Sequence, residues 1–268
     1  MKRPICLTIA GSDSGGEAGI QADLQCFSDF SCHGLSVISA VTAQNPKEII
    51  SLNPVDIEVF KDQLSALKKF FDIKFIKTGI LPSKAIMNIL LKELPSDATL
   101  VSDPLIRSTS GKTLMNDEAL EFFQNHFSKR IDFLTPNIPE LELLSGSKVS
   151  KSVNLKAILS TFANKGIFLK GGHSDEPGVD YFYNGKLWKL EAPELVIKSS
   201  HGTGCRISSS FCAALALGKS SIEAATLAKN YVFHALLNCK ETEQGQWLMV
   251  SPGNYKQLEN RISVSEIK

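Results

Sequence analysis

Short runs of Val, Ile and Leu alternate with segments of helical period from residue 5 to residue 170, and this alternation constrains the fold more than any other feature of the chain. Residues 5–10, 35–43, 75–79, 99–103, 132–135 and 167–170 read as strands. Between them lie helical segments. Residues 18–32 space Ile20, Leu24, Phe27 and Phe30 along one face, and residues 55–71 do the same with Ile57, Phe60, Leu64, Leu67 and Phe71. Ser83 caps a predicted helix to about residue 94, and further helices are predicted at 117–127, 139–144 and 155–164. Strands that alternate with helices are joined by crossovers, which predicts a mostly parallel sheet covered on both faces. One interruption stands out: Asn184-Gly185 between β-prone runs at 180–190 predicts an antiparallel hairpin at the sheet edge. An extended run at 194–198 leads into a small-residue helix that ends at Gly218. A long helix follows at 221–239, and residues 243–268 are polar and weakly patterned. No repeat or linker divides the 268 residues, so one α/β domain spanning 1–268 is expected.

Composition narrows the function. With 29 basic against 28 acidic side chains, no basic stripe exists to neutralise phosphates along a nucleic acid. The six cysteines form no CxxC pair, so neither a zinc site nor a disulfide framework is indicated. The N-terminal text MKRPICLTIAGSD turns polar too soon for a signal peptide, and no apolar segment reaches the ~18 residues of a membrane span. The expectation is a cytoplasmic protein acting on small molecules, with no nucleic acid and no membrane as partner; a homodimer is compatible with the sequence.

In a parallel sheet, ligands sit beyond the carboxyl ends of the strands. The polar groups that fall there are residues 11–16, Gln44-Asn45, residues 77–79, Asp103, residues 137–140, residues 170–173 and residues 201–205. The glycine turn HGTGC, with Gly202, Thr203, Gly204 and Cys205, opens a helix whose free N–H groups and dipole favour an anion. Cys205 in that first turn would have its pKa pulled down. The same text is equally an ordinary glycine turn with an inert buried cysteine. GSDSGG at 11–16 has P-loop spacing, but Glu17-Ala18 follow where Lys and Ser/Thr are needed, so Walker A fails. Asn137-x-x-Glu140 offers an amide and a carboxylate for a hydrated Mg²⁺, or simply a helix start. Asp103 before Pro104 has the same two readings, and Lys170-Gly-Gly-His173 is either phosphate-facing or a plain turn.

Together these stretches resemble the hydroxymethylpyrimidine kinase/phosphomethylpyrimidine kinase family of thiamine biosynthesis, within the ribokinase-like superfamily. The matching text is LTIAGSDSGG (7–16), AGIQADL (18–24), VTAQN (41–45), TPNIPE (135–140), KGGH (170–173) and HGTGC (201–205), in family order. The resemblance implies a three-layer α/β/α sandwich. It also implies an ATP- and Mg²⁺-dependent kinase acting on 4-amino-5-hydroxymethyl-2-methylpyrimidine and on its monophosphate. Gly11, Asp23 and Gln44 would hold the pyrimidine, Gln44 through an amide that both donates and accepts. Asn137 and Glu140 would organise Mg²⁺ and phosphate with Asp103, while Lys170, Gly171 and Gly172 would lie near the nucleotide. Gly202, Thr203 and Gly204 match an anion hole, and Cys205 stands where many sugar kinases carry an aspartate base. The chain departs from the family text at Glu17 (for glycine), Ile80 (for methionine), Arg206 (for threonine) and in residues 245–253. Two rivals remain: a pyridoxal/pyridoxine kinase on the same scaffold, and a non-catalytic ligand-binding regulator.

Overall fold

The computed structural model describes residues 2–45, 47–107, 113–149, 154–171, 176–196, 199 and 201–268. The chain begins with β1 (Ile5–Asp13), α1 (Gly19–Asp29), β2 (His33–Gln44), β3 (Ile49–Pro54) and α2 (Ile57–Lys68). Next come β4 (Phe75–Thr78), α3 (Lys84–Glu93), β5 (Thr99–Ser102), α4 (Asp117–Asn125), β6 (Phe133–Leu134), α5 (Ile138–Ser145), α6 (Leu155–Ser160) and β7 (Gly166–Leu169). The C-terminal part holds β8 (Val179–Tyr183), β9 (Leu187–Glu191), α7 (Thr203–Ala216), α8 (Ser221–Leu237), β10 (Lys240–Glu241), β11 (Trp247–Leu248) and β12 (Ser263–Ile267).

Ten strands form one sheet in the order β12-β9-β8-β7-β6-β5-β4-β1-β2-β3. From β2 to β7 every neighbouring pair is parallel, and the strands outside that block pair antiparallel. The β8–β9 hairpin turns at Asn184-Gly185, with Gly185 at φ 92°, as the dipeptide predicts. Strand alternation splits the interior into two cores. Leu7, Ile9, Ile76, Leu100, Leu134 and Ile167 pack with α2, α3, α4, α5 and α6 on one face. Cys6, Val101, Phe133 and Phe168 pack with α1, α7 and α8 on the other. The result is the three-layer sandwich expected.

Several elements escaped the sequence. β3 and β12 are edge strands with mostly exposed or half-exposed side chains, so no apolar alternation marks them. Of the strand expected at 194–198, residues 194–196 carry no strand, and Ile197 and Lys198 lie outside the described residues.

Candidate active site

A cavity of about 550 Å³ opens at the carboxyl ends of the parallel strands. Each strand contributes to its wall: Gly11 and Asp13 from β1, Gln44 from β2, Ile80 after β4, Arg107 after β5, Asn137 after β6 and Lys170 after β7, with Gly202, Thr203, Gly204 and Cys205 at the start of α7. Between Ala10 and Gly11 the pairing of β1 with β2 slips by one residue, the extra residue being Ser39 of β2. A Cβ on Gly11 would stand 3.2 Å from Ile80 Cδ1, so the two residues touch at this end of the cavity.

Gln44 Nε2 lies 2.9 Å from His201 Nε2, and Gln44 Oε1 accepts from the Thr42 hydroxyl at 3.4 Å. His201 Nε2 is 3.6 Å from Asp13 Oδ2. The Asp13 carboxylate also accepts the backbone N–H groups of Gly15, Glu17 and Ala18, closing the GSDSGG loop on itself. Burial works against charge on Asp13. His201 and those backbone donors outweigh it and hold the carboxyl below its ordinary range.

At the other end, Asn137 and Glu140 form a reciprocal capping box at the start of α5, with Glu140 N–H donating to Asn137 Oδ1 at 2.8 Å and Asn137 N–H to Glu140 Oε2 at 2.9 Å. The helix-start reading of this motif is therefore realised, yet Glu140 Oε1 stays buried without a hydrogen-bond partner. Lys170 Nζ pairs with Asp103 Oδ1 at 2.7 Å, and Asp103 Oδ2 likewise has no partner. Burial, reinforced by Asp103, pushes the Glu140 carboxyl up despite Lys170. Lys170 is held above its ordinary range because Asp103 and Glu140 outweigh the burial that opposes its charge.

α7 opens between these two ends. Gly202 is left-handed (φ 77°), and a Cβ there would sit 2.0 Å from the Glu17 carbonyl oxygen, so only glycine fits. A Cβ on Gly204 would meet Lys170 Nζ at 3.1 Å and Asp103 Oδ2 at 3.5 Å, which places the first turn of α7 directly over that ion pair. Cys205 follows, buried at the cavity wall. Its expected lowered pKa is not found. Burial pushes the thiol up, opposed by the Lys77 ammonium and by the Gly19 backbone N–H.

Other expectations are corrected too. Asp23 does not line the cavity: it is fully buried, accepts the Thr8 hydroxyl at 2.6 Å and pairs with Lys77 Nζ at 2.7 and 2.9 Å. Its carboxylate is engaged beneath the cavity and forms no part of the wall. Asp103 is likewise fully buried and meets the cavity only through Lys170. Gly171 packs against the backbone, since a Cβ would stand 1.8 Å from the Val179 carbonyl oxygen, and its N–H donates to Asp180 at 2.6 Å. Gly172 and His173 lie outside the described residues. Arg206, which stands in place of the family's threonine, is 1% exposed, lies off the cavity wall and donates to the Glu17 carbonyl.

The sequence placed residues 11–16, 77–79 and 201–205 at this end of the sheet but gave no role to Asp13, Lys77 or His201. His201 and Asp13 were legible only as text within the matched motifs. Nothing in the sequence pairs Lys77 with a carboxylate 54 positions away.

A parallel sheet whose carboxyl ends face a helix N-terminus, with a lysine–carboxylate pair beneath it, defines a ribokinase-like small-molecule kinase. Residues 13–249 match the phosphomethylpyrimidine kinase family, and the chain belongs to that family. The hydroxymethylpyrimidine/phosphomethylpyrimidine kinase of Aquifex aeolicus is 34% identical over 252 residues, 91% of this chain and 99% of the relative. Among solved structures, the phosphomethylpyrimidine kinase of Clostridium difficile is 34% identical, with a TM-score of 0.73 over 87% of this chain and 99% of that one. The pyridoxal kinase of Staphylococcus aureus in complex with AMP-PCP and pyridoxal aligns over 100% of both chains, with a TM-score of 0.86 and 27% identity. No helix among the described residues is long and apolar enough to cross a membrane.

Proposed function

We propose that this protein transfers the γ-phosphoryl group of ATP to the hydroxymethyl group of 4-amino-5-hydroxymethyl-2-methylpyrimidine and then phosphorylates the resulting monophosphate. The observation that carries this reading is the layout of the cavity. One cavity takes Gly11, Ile80 and the Gln44 amide in its wall together with Lys170, Asn137, Glu140 and the N-terminus of α7. The Gln44 amide offers a donor and an acceptor to an aminopyrimidine edge. Backbone N–H groups at Gly202, Thr203 and Gly204 would receive the transferring phosphoryl oxygens, and Cys205 would take the hydroxyl proton. Lys170 would hold its cation beside the phosphates, oriented by Asp103.

A magnesium ion fits the residues present. Glu140, at the cavity wall, keeps one buried carboxylate oxygen without a hydrogen-bond partner. That is the donor set of an ion which keeps most of its waters and takes few protein ligands. When bound, it would neutralise charge on the nucleotide phosphates.

We read the chain as one domain, because a single sheet takes strands from β1 to β12. The six free cysteines support a reducing, cytoplasmic setting. The test is a kinase assay with ATP and Mg²⁺ against the pyrimidine, its monophosphate and pyridoxal. A higher kcat/KM for the pyrimidine than for pyridoxal is expected; equal or inverted preference moves the assignment to the pyridoxal branch. Turnover undiminished by excess chelator removes the metal from the reading.

A further inference from the structure

Three departures from the family text, at Glu17, at Arg206 and within residues 245–253, meet at one point behind the cavity. Arg206, in the first turn of α7, donates through one Nη to the backbone carbonyl of Glu17 and through the other to Gln25 Oε1 of α1 at 3.3 Å. The Glu17 side chain turns the other way, and its Oε1 accepts the backbone N–H of Met249 at 2.9 Å. Glu17, Arg206 and Met249 are 4%, 1% and 5% exposed, and none of them lines the cavity. The gripped carbonyl is the atom that leaves no room for a Cβ on Gly202, and Arg206 Nη1 would lie 2.7 Å from that same Cβ. One peptide group is thus held between a guanidinium and the left-handed turn that opens α7.

Stability alone does not account for this arrangement. Arg206 Nε and Glu17 Oε2 are buried without hydrogen-bond partners, and an apolar pair of similar volume would avoid that desolvation cost. Its location gives the reason. On one side of the gripped peptide are Ala18 and Gly19, which line the cavity together with Cys205. On the other side are Gly202, Thr203 and Gly204. We propose that Arg206 is a positioning residue. With Glu17 and Met249 it forms a clamp that sets the spacing between the loop after β1 and the anion-hole turn of α7. The proposal rests on the reading of that turn as the phosphoryl site. Lys170 and Asn137 are carried by other elements, so the clamp governs phosphoryl transfer and acceptor placement but not nucleotide binding.

The test uses the full chain with Arg206→Met, which keeps the volume and removes the donors, Arg206→Lys, which keeps one donor and the charge, Glu17→Ala, and the Arg206→Met/Glu17→Ala double variant. Misplacement of reacting groups by an ångström costs up to about 100-fold, so Arg206→Met should lower kcat by roughly 10- to 100-fold with the KM for ATP changed by less than about twofold. Arg206→Lys should recover part of the loss, and the double variant should be no worse than Arg206→Met, because both changes open one clamp. Amide hydrogen exchange reads the clamp without any turnover. In Arg206→Met, and more weakly in Arg206→Lys, exchange should quicken at residues 13–19 and 201–205 but not at β7. Normal kcat, additive losses, a parallel rise in the KM for ATP, or unchanged exchange at both segments would each overturn the proposal. A wild-type protein without kinase turnover would sink the functional reading, and the exchange data would still decide the clamp.

Discussion

Cys205 sits under two opposed influences. The start of a helix and the Lys77 ammonium favour its thiolate, while enclosure by protein disfavours it, and enclosure prevails. A base whose pKa is raised is scarce in its active form at neutral pH but strong once formed. The kcat/KM of the wild type should therefore still be rising with pH in the alkaline range. Cys205→Ser should lower kcat by about 10²- to 10⁴-fold, with ATP affinity little changed. Cys205→Asp should retain more activity and lose the alkaline rise. An active Cys205→Ser enzyme that is only less stable would return the residue to the role of an inert core thiol. Asp13 makes a prediction about stability. Its carboxyl is held below the ordinary range in the fold, so as pH falls the unfolded chain takes up this proton first. The stabilisation is complete above the ordinary carboxylate pKa and is lost as pH falls through the folded value. Melting curves from pH 7 to pH 3 should show a shallower acid decline for Asp13→Asn than for the wild type.

At the scale of elements, the glycine turn before α7 shows how a motif can be required twice. The N-terminal end of a helix suits an anion, and the left-handed Gly202 lets the Glu17 carbonyl approach closely. Gly202→Ala meets both objections, positive φ and the carbonyl, and should cost about 1–3 kcal/mol in urea unfolding along with most of the activity. Gly204 is a different case: its φ is not positive, and what a Cβ there would meet, at 3.1 Å, is the end of the Lys170 side chain rather than backbone. Gly204→Ala should therefore spare stability and act chiefly on nucleotide-dependent steps, measured as a raised KM for ATP. The α5 capping box teaches a related point. One asparagine–glutamate pair starts a helix and still leaves a carboxylate oxygen for another task.

Across the whole molecule, the Lys77–Asp23 pair ties β4 to α1 with both side chains fully buried. Thr8 of β1 adds its hydroxyl to the same carboxylate, so three elements under the cavity floor share one polar knot. Burial opposes the charge on Lys77, but the Asp23 carboxylate, with Cys205 and Asp103, keeps the ammonium charged well above its ordinary range. Lys77→Met leaves a buried carboxylate unpaired and should destabilise the fold by about 3–5 kcal/mol, read as the shift in denaturation midpoint. Lys77→Met combined with Asp23→Leu removes both charges and should cost less than the single change. A double variant less stable than Lys77→Met would show that the pair is not the unit of stabilisation.

What the sequence determined by itself was the parallel block of the sheet, its helices and the set of loops that gather at one end. Helical and strand periods are local, and residues such as Ser83, Asn137 and Asn184-Gly185 state their caps and turns within a few positions. Most of the cavity wall was legible from that: Gly11, Gln44, Asn137, Lys170 and Gly202 to Cys205, all named from motifs, line one cavity. Tertiary structure alone decided the rest. β12 exists because β9 offers it an edge, not because its own residues alternate. Asp23 moves from ligand contact to buried partner because Lys77 reaches it across 54 residues of chain. Cys205 becomes a weaker acid than its helix position suggests because desolvation depends on everything packed around it. Glu17 and Arg206, unrelated in the sequence, become one contact for the same reason: burial and long-range pairing are properties of the packed chain, and no local pattern encodes them.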